Sequence, residues 1–229
     1  MISINKLTIS YGSDANVLNQ LQLNLETNKI HGLVGLNGAG KTSLLNALHG
    51  LIKPKSGSFK FQTEALTKKQ IAYLPTENYF YPNITGREYL ELFPNKIFNI
   101  SDWNEIFQLP LDQVIDDYST GMKKKLAIFG VLKLDKPFLI LDEPFNGLDL
   151  ESGRVLHSIL LTLRKKNKTI LITSHILNSL FDLCDYIHYL EAGVIKESTS
   201  KEHFHSFQNN LYDKIRNKTE DKINDLLAN

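Results

Sequence analysis

The stretch Gly35-Leu-Asn-Gly-Ala-Gly-Lys-Thr-Ser43 constrains this chain more than any other. Gly35 is separated by four free residues from Gly40-Lys41-Thr42, with a further glycine at Gly38, the spacing of a phosphate-binding loop. The run Ile30 to Val34 before it reads as a strand. Lys41 to His49 after it carries Leu44, Leu45, Ala47 and Leu48 on a helical repeat and stops at Gly50. A loop between a strand and a helix start is the context in which the pattern has a physical meaning. Glycines let the backbone take positive φ and approach a ligand, so that successive N–H groups converge on phosphate oxygens at the positive end of a helix. Gly35, Asn37, Gly38, Ala39, Gly40, Lys41, Thr42 and Ser43 are therefore the candidate triphosphate contacts. Lys41 is placed to reach the β- and γ-phosphates, and the Thr42 hydroxyl to sit on Mg²⁺.

At 229 residues, 42% hydrophobic and a net charge of +1, the chain can bury a sizeable core and carries no electrostatic footprint for nucleic acid. Neither a signal peptide nor an apolar run near the ~18 residues of a membrane span is visible, so the expected setting is cytosolic. The single cysteine, Cys184, reads as a small buried hydrophobe.

Two alternating runs, Ile2–Ile9 and Leu21–Leu25, read as half-buried antiparallel strands. Phe138–Leu141 and Thr169–Thr173 are continuous apolar runs, as in strands buried on both faces of a parallel sheet. Leu156, Ile159, Leu160 and Leu163 between them share one helix face. The middle, about 83–133, reads as helical. Thr85-Gly-Arg-Glu88 forms a capping box, Ser101 or Asp102 is a cap for a second short helix, and Ser119 caps a helix beginning at Thr120. The plain alternative for this segment is a capped helix with a basic solvated face at Lys123 to Lys125. Residues 186–198 read as a hairpin turning at Ala192-Gly193. Beyond Lys201, Phe204, Phe207, Leu211 and Ile215, followed by Ile223, Leu226 and Leu227, mark a helical stripe, packed on its own domain or pairing two subunits.

Phe138-Leu-Ile-Leu-Asp-Glu-Pro144 places Asp142 and Glu143 at the carboxyl end of a buried strand, where open α/β sheets bind ligands. Beside a phosphate loop, the pair suits a division of labour: Asp142 holds Mg²⁺ through water and Glu143 polarises the attacking water.

Taken together, these elements resemble the nucleotide-binding subunit of an ATP-binding cassette (ABC) transporter over about residues 1–200. Tyr118-Ser-Thr-Gly-Met-Lys-Lys-Lys125 resembles the cassette signature Leu-Ser-Gly-Gly-Gln, with Ser119 and Gly121 matching. Asn146-Gly-Leu-Asp149 resembles the D-loop. Thr173-Ser-His175 ends a strand where the family places its switch histidine, and Tyr11 stands where it places an aromatic residue on adenine. The resemblance implies an α/β P-loop NTPase (RecA-like) core with an antiparallel β subdomain and a small α-helical subdomain, about 76–133, followed by a C-terminal helical extension at 201–229. It also implies ATP and Mg²⁺ as cofactors, head-to-tail pairing with a second cassette, and a separate integral membrane permease that holds the subunit at the inner face of the cell membrane, most like bacterial exporters of the drug or polysaccharide type. No glutamine stands where the family's Q-loop falls; Thr76 and Glu77 occupy that place. Thr120 and Met122 replace a glycine and the glutamine of the signature. A soluble ABC ATPase of translation or DNA maintenance is the alternative, disfavoured by the lack of a second cassette or a coiled-coil or zinc insertion. A non-hydrolysing module is disfavoured by Glu143 and His175.

Overall fold

The computed structural model describes residues 1–12, 15–174 and 177–227. Its first strands, β1 (Ile2–Ile9) and β2 (Leu18–Leu25), pair antiparallel, Ile2 opposite Leu25 and Ile4 opposite Leu23. Their alternation sends Ile2, Ile4, Leu7 and Ile9 inward against Leu18, Leu21, Leu23 and Leu25. The register shifts between Ile4 and Leu7, where Lys6 takes a φ of 46°. After β3 (Ile30–Val34) and α1 (Lys41–His49), two strands not anticipated from sequence, β4 (Ser56–Phe61) and β5 (Glu64–Ala65), complete a four-stranded antiparallel sheet in the order β2-β1-β4-β5.

The second sheet is built from β3, β6 (Ile71–Leu74), β7 (Phe138–Leu141), β8 (Thr169–Thr173), β9 (Tyr186–Glu191) and β10 (Val194–Ser200), in the order β10-β9-β3-β8-β7-β6. Strands β9, β3, β8, β7 and β6 run parallel, and every residue of β3, β7 and β8 is buried, as their unbroken apolar character requires. The 186–200 hairpin turns at Ala192-Gly193 as expected, and its turn meets the first sheet: the Asn19 N–H donates to the Gly193 carbonyl at 3.1 Å.

Between β6 and β7 lies the helical lobe: α2 (Gly86–Glu91), α3 (Ile100–Phe107) and α4 (Thr120–Lys133). The Thr85 capping box forms in full, with Glu88 N–H donating to Thr85 Oγ1 and Thr85 N–H to Glu88 Oε2. The cap of α3 is Asn99, which accepts from the Ser101 and Asp102 N–H groups, rather than Ser101 or Asp102 themselves. Asn is as good a cap as either, and its position lets Ile100 enter the helix beside Trp103 and Phe107. Those rings stack on one another and on Phe98 and Phe129, with centroids 5.2 Å apart for Phe98–Trp103 and 4.7 Å for Phe107–Phe129. The other helices are α5 (Leu150–Lys165), α6 (Asn178–Phe181) and α7 (Phe204–Leu227). Leu156, Ile159 and Leu160 of α5 are buried as anticipated, and Phe204 and Phe207 anchor α7 to its own core. Cys184 is fully buried, and burial pushes its thiol pKa up.

Candidate functional site

Strands β3, β7 and β8 end side by side, and three local structures at those ends build the site. At β3 the chain leaves through Gly35, where a Cβ would stand 2.4 Å from the Leu190 carbonyl oxygen; only glycine fits between the loop and β9. The loop then reaches α1 through Gly40, at φ 105°, which caps the helix without a side chain. The first N–H groups of α1 are thus left facing outward, a ready anion site. Lys41 folds back over the loop, its ammonium donating to the carbonyls of Gly35 at 2.7 Å and Leu36 at 3.3 Å.

At the end of β7, Asp142 is 1% exposed and its carboxylate accepts from two hydroxyls, Thr42 at 3.0 Å and Thr173 of β8. The same Thr173 hydroxyl accepts from the Glu143 N–H at 2.9 Å. Glu143 takes a φ of 48°, a left-handed conformation unusual for a residue with a Cβ and one that clusters at functional sites. It turns the chain sharply so that Asp142 and Glu143 both border one cavity of about 480 Å³, lined also by Val17, Asn37, Gly38, Ala39, Gly40, Lys41, Thr42, Ser43 and Thr76. Tyr11 stands at its edge, its hydroxyl 3.0 Å from Ser43 Oγ.

Most of the residues singled out from sequence therefore meet at one place. Gly35 contributes its close approach rather than cavity wall. Thr76 reaches the cavity; Glu77 is not among the residues lining it. Ser119 and Gly121 are elsewhere: Ser119 caps α4, accepting from the Met122 N–H at 3.2 Å, and Gly121 packs toward the Gly147 carbonyl. His175 lies outside the described residues. Thr173 and Val17 were missed. Thr173 carried a signal, a hydroxyl at the very end of an otherwise apolar strand, whereas nothing in the sequence marked Val17.

Of the possible basic face at Lys123 to Lys125, Lys124 is buried and the other two are half-buried. Lys123 donates to the Asp116 carbonyl and Lys125 to the Phe107 carbonyl, while Lys124 is only 5% exposed. Its pKa is lowered by burial, against the opposing pull of Asp142 and Glu143. A 14-residue helix lodged between the other helices of the lobe and the central sheet has little open face, which the triple lysine could not reveal.

The oxygen chemistry at Thr42 and Asp142 suits a hard cation such as Mg²⁺. Among the described residues no cluster of three His, Cys, Asp or Glu could hold a metal ion by itself.

Comparison with known proteins agrees with this geometry. A family model described as ABC transporter matches residues 18–146. The bacitracin transport ATP-binding protein BcrA of Bacillus licheniformis is 35% identical over 221 residues, covering 89% of this chain and 71% of that protein. The lantibiotic transport ATP-binding protein SrtF of Streptococcus pyogenes is 30% identical over 234 residues, covering 94% of this chain and 100% of that protein. A solved structure described as the ATP-binding subunit of an ABC transporter is 26% identical with a TM-score of 0.80, covering 94% of this chain and 99% of its own. The chain belongs to the ABC transporter family, as one of its ATP-binding, ATP-hydrolysing subunits.

Proposed function

We propose that this subunit drives export through a separate membrane permease, of cargo like that named for its bacitracin and lantibiotic relatives, by closing and reopening against a second cassette. Among the described residues no helix is long and apolar enough to cross a membrane, which fits a subunit that works on a partner's spans from the cytoplasmic side. One observation carries the chemistry: Lys41, Thr42, Asp142 and Glu143 border a single cavity at the carboxyl ends of the sheet.

In this reading the loop N–H groups and Lys41 grip the β- and γ-phosphates, Lys41 exchanging its bonds to the Gly35 and Leu36 carbonyls for phosphate oxygens. Thr42 and Asp142 would hold Mg²⁺, whose charge neutralises that developing on the phosphates. Glu143, set at the cavity wall by its left-handed turn and by Thr173, accepts a proton from the attacking water. Thr76 takes the place of the Q-loop glutamine, and His175 that of the switch histidine. Ser119 and Gly121, remote from the cavity lined by their own phosphate loop, serve the nucleotide of the opposing copy. That arrangement completes each site only when two cassettes meet head to tail.

Glu143→Gln preserves the shape and removes the base, so nucleotide binding is expected to persist while phosphate release falls ~10²–10⁴-fold. Near-parental turnover in the purified variant would remove Glu143 from this role. In the same background, light scattering with ATP should show dimers, and adding Ser119→Arg should abolish them; equal dimer fractions would contradict the composite site. Co-purification of a permease from the native membrane tests the transport assignment directly.

A further inference from the structure

Away from the phosphate loop, α3 and α5 line a second hollow of about 490 Å³, and no residue borders both. Helical spacing sorts its α5 side into two stripes. Val155, Ile159 and Leu163 recur every fourth residue and, with Trp103 and Ile106 of α3, make an apolar wall. Arg154, Ser158, Thr162 and Lys166 recur in the same way beside them and make a polar rim. Apart from Ile106, at 48% exposed, the apolar members are half-buried or buried, so the wall is recessed. The ring pair Tyr79 and Tyr81 is the opposite case, both rings being exposed on the outer surface. A recessed apolar hollow of this volume suits a small molecule better than a protein face.

The rim decides which small molecule. Ser158 and Thr162 spend their hydroxyl protons on carbonyls of their own helix, that of Arg154 at 3.1 Å and that of Ser158 at 2.9 Å. The donors left are the two cations, whose side chains make no hydrogen bond or ion pair among the described residues. Neighbouring cations are answered: Arg164 pairs with Asp185 at 2.9 Å and Lys168 with Asp135 at 2.6 Å. Among the described residues Glu151 is the one acid that lines the hollow. It stands one helical turn from Arg154 but about 22 Å along the axis from Lys166, at 1.5 Å per residue. Arg154 therefore has an acid at hand, and the Lys166 end presents a positive charge alone.

We propose that this groove is a binding site for a small organic anion with an apolar, ring-sized body, the body lying against Trp103, Val155, Ile159 and Leu163 and the acidic group meeting the Lys166 ammonium. Buried apolar area supplies the affinity, while the exposed ion pair sets the orientation and adds little. The site stands apart from the nucleotide cavity and does not depend on how that cavity is read. It joins two parts of the molecule, since α3 belongs to the helical lobe and α5 to the layer on the central sheet. Toward Glu151 it adjoins a smaller hollow of about 100 Å³, which shares Ile106, Glu151 and Val155 with it and reaches Leu148 and Asp149. A bound anion thus ties the lobe to the helix that follows Asn146–Asp149.

Trp103 is the only tryptophan of the chain, so energy transfer from its indole reports a ligand in the groove directly. The probes are 1-anilinonaphthalene-8-sulfonate and N-phenyl-1-naphthylamine, the same rings without the sulfonate, titrated into the intact chain with and without saturating ATP and Mg²⁺. The sulfonate should bind at one site with a Kd on the order of tens of micromolar, ordinary for a ligand of its size. It should bind roughly threefold tighter than the neutral amine, the effect of an exposed ion pair, and ATP should displace neither. Lys166→Gln should equalise the two probes, Lys166→Arg should keep the preference, and so should Arg154→Gln. Val155→Asp puts a carboxylate in the apolar wall and should weaken both probes about tenfold or more, with far-UV circular dichroism checking that the variant folds. Ser158→Glu, at an exposed position of the same wall, makes the test without disturbing packing: it should weaken the sulfonate about threefold and spare the amine. Displacement by ATP would place the probe in the phosphate-loop cavity and overturn the proposal. No saturable transfer in the parent, equal affinity for the two probes there, a preference that survives Lys166→Gln, or parental binding of both probes by folded Val155→Asp or by Ser158→Glu would overturn it as well.

Discussion

The two ends of the central sheet both carry polar groups on apolar strands, and both border hollows of similar size, about 480 Å³ at the carboxyl ends and about 400 Å³ near the amino ends. Their chemistry differs. Near the amino ends several polar groups answer one another: the Ile30 N–H and Arg164 both donate to Asp185, at 2.9 Å each. His31 Nε2 must donate to the Glu26 carbonyl, so its Nδ1 accepts from His188 Nε2, and His188 Nδ1 accepts from Ser198. That chain closes on itself with both rings neutral. At the carboxyl ends the uncapped N–H groups of α1 and the cavity-facing acids are arranged toward a space, and Glu143 holds a conformation its own chemistry disfavours. A hollow is therefore a poor guide to function by itself; a helix N-terminus without a side-chain cap and a left-handed acidic residue at its wall are a better one.

The largest effect expected from breaking this contrast is at Lys41. Lys41→Ala removes a charged donor whose bonds to phosphate are worth about 1.5–3 kcal/mol, so affinity for ATP should fall by roughly tenfold to a hundredfold. Equilibrium titration with a labelled nucleotide measures it, and an unchanged affinity would contradict the assignment of this end as the site. A second variant separates support from chemistry. Thr173→Val removes the donor to Asp142 and the acceptor of the Glu143 N–H together, leaving a buried amide unpaired. It should cost about 1–3 kcal/mol in urea unfolding and lower phosphate release. A loss of stability with turnover intact would mean that Thr173 only packs.

The phosphate loop and α1 were legible to the residue, because glycine spacing, helical periodicity and the Gly50 stop agree and none depends on distant parts of the chain. The fully buried strands Phe138–Leu141 and Thr169–Thr173 were legible for the same reason: burial on both faces leaves no polar position to confuse the pattern. Ser56–Phe61 was not. It is a strand of mostly exposed positions, Ser-Gly-Ser at its start, lying between β1 and the two-residue β5, and its pairing with β1 is a long-range one. The Asn99 cap was missed because Ser101 and Asp102 are good caps too, and only the docking of Trp103 and Phe107 chooses among the three. A charge run such as Lys123 to Lys125 does not reveal that Lys124 is buried, because only the tertiary packing of α4 decides which of the three faces inward.

The amino-terminal hollow yields a smaller effect, and one that depends on pH. Burial first, and the neighbouring His31 second, push His188 down to about 3, and burial lowers His31 as well. Folded chains therefore refuse a proton that unfolded chains accept below the ordinary pKa of about 6.5. This contribution to stability is complete above pH 6.5 and is lost as pH falls toward 3, at about 1.4 kcal/mol per pH unit for each depressed histidine. Urea midpoints at pH 7.5 and pH 5.5 should fall more for the parent than for His188→Gln, which removes one of the two contributions. Equal falls would mean that the pair is already accessible to protons, and the closed hydrogen-bond chain would have to be abandoned.

The smallest expected effect is at the edge of the nucleotide site itself. Tyr11 is half-exposed, and its hydroxyl lies 3.0 Å from Ser43 Oγ in the loop. Two roles compete for it: a ring on which adenine stacks, or a hydroxyl that steadies Ser43 at the third position of α1. Stacking of aromatic rings is worth about 0.5–1.5 kcal/mol, so Tyr11→Ala should weaken ATP binding by roughly twofold to tenfold if the ring is the working part. Tyr11→Phe keeps the ring and removes the hydroxyl, and should then bind as the parent does. The triphosphate alone, which has no base, should bind all three proteins equally. Were Tyr11→Phe to lose as much as Tyr11→Ala, and for inorganic triphosphate as well as ATP, the hydroxyl would be the functional group. Tyr11 would then belong with the internally paired polar groups of the opposite end rather than with those that face a ligand.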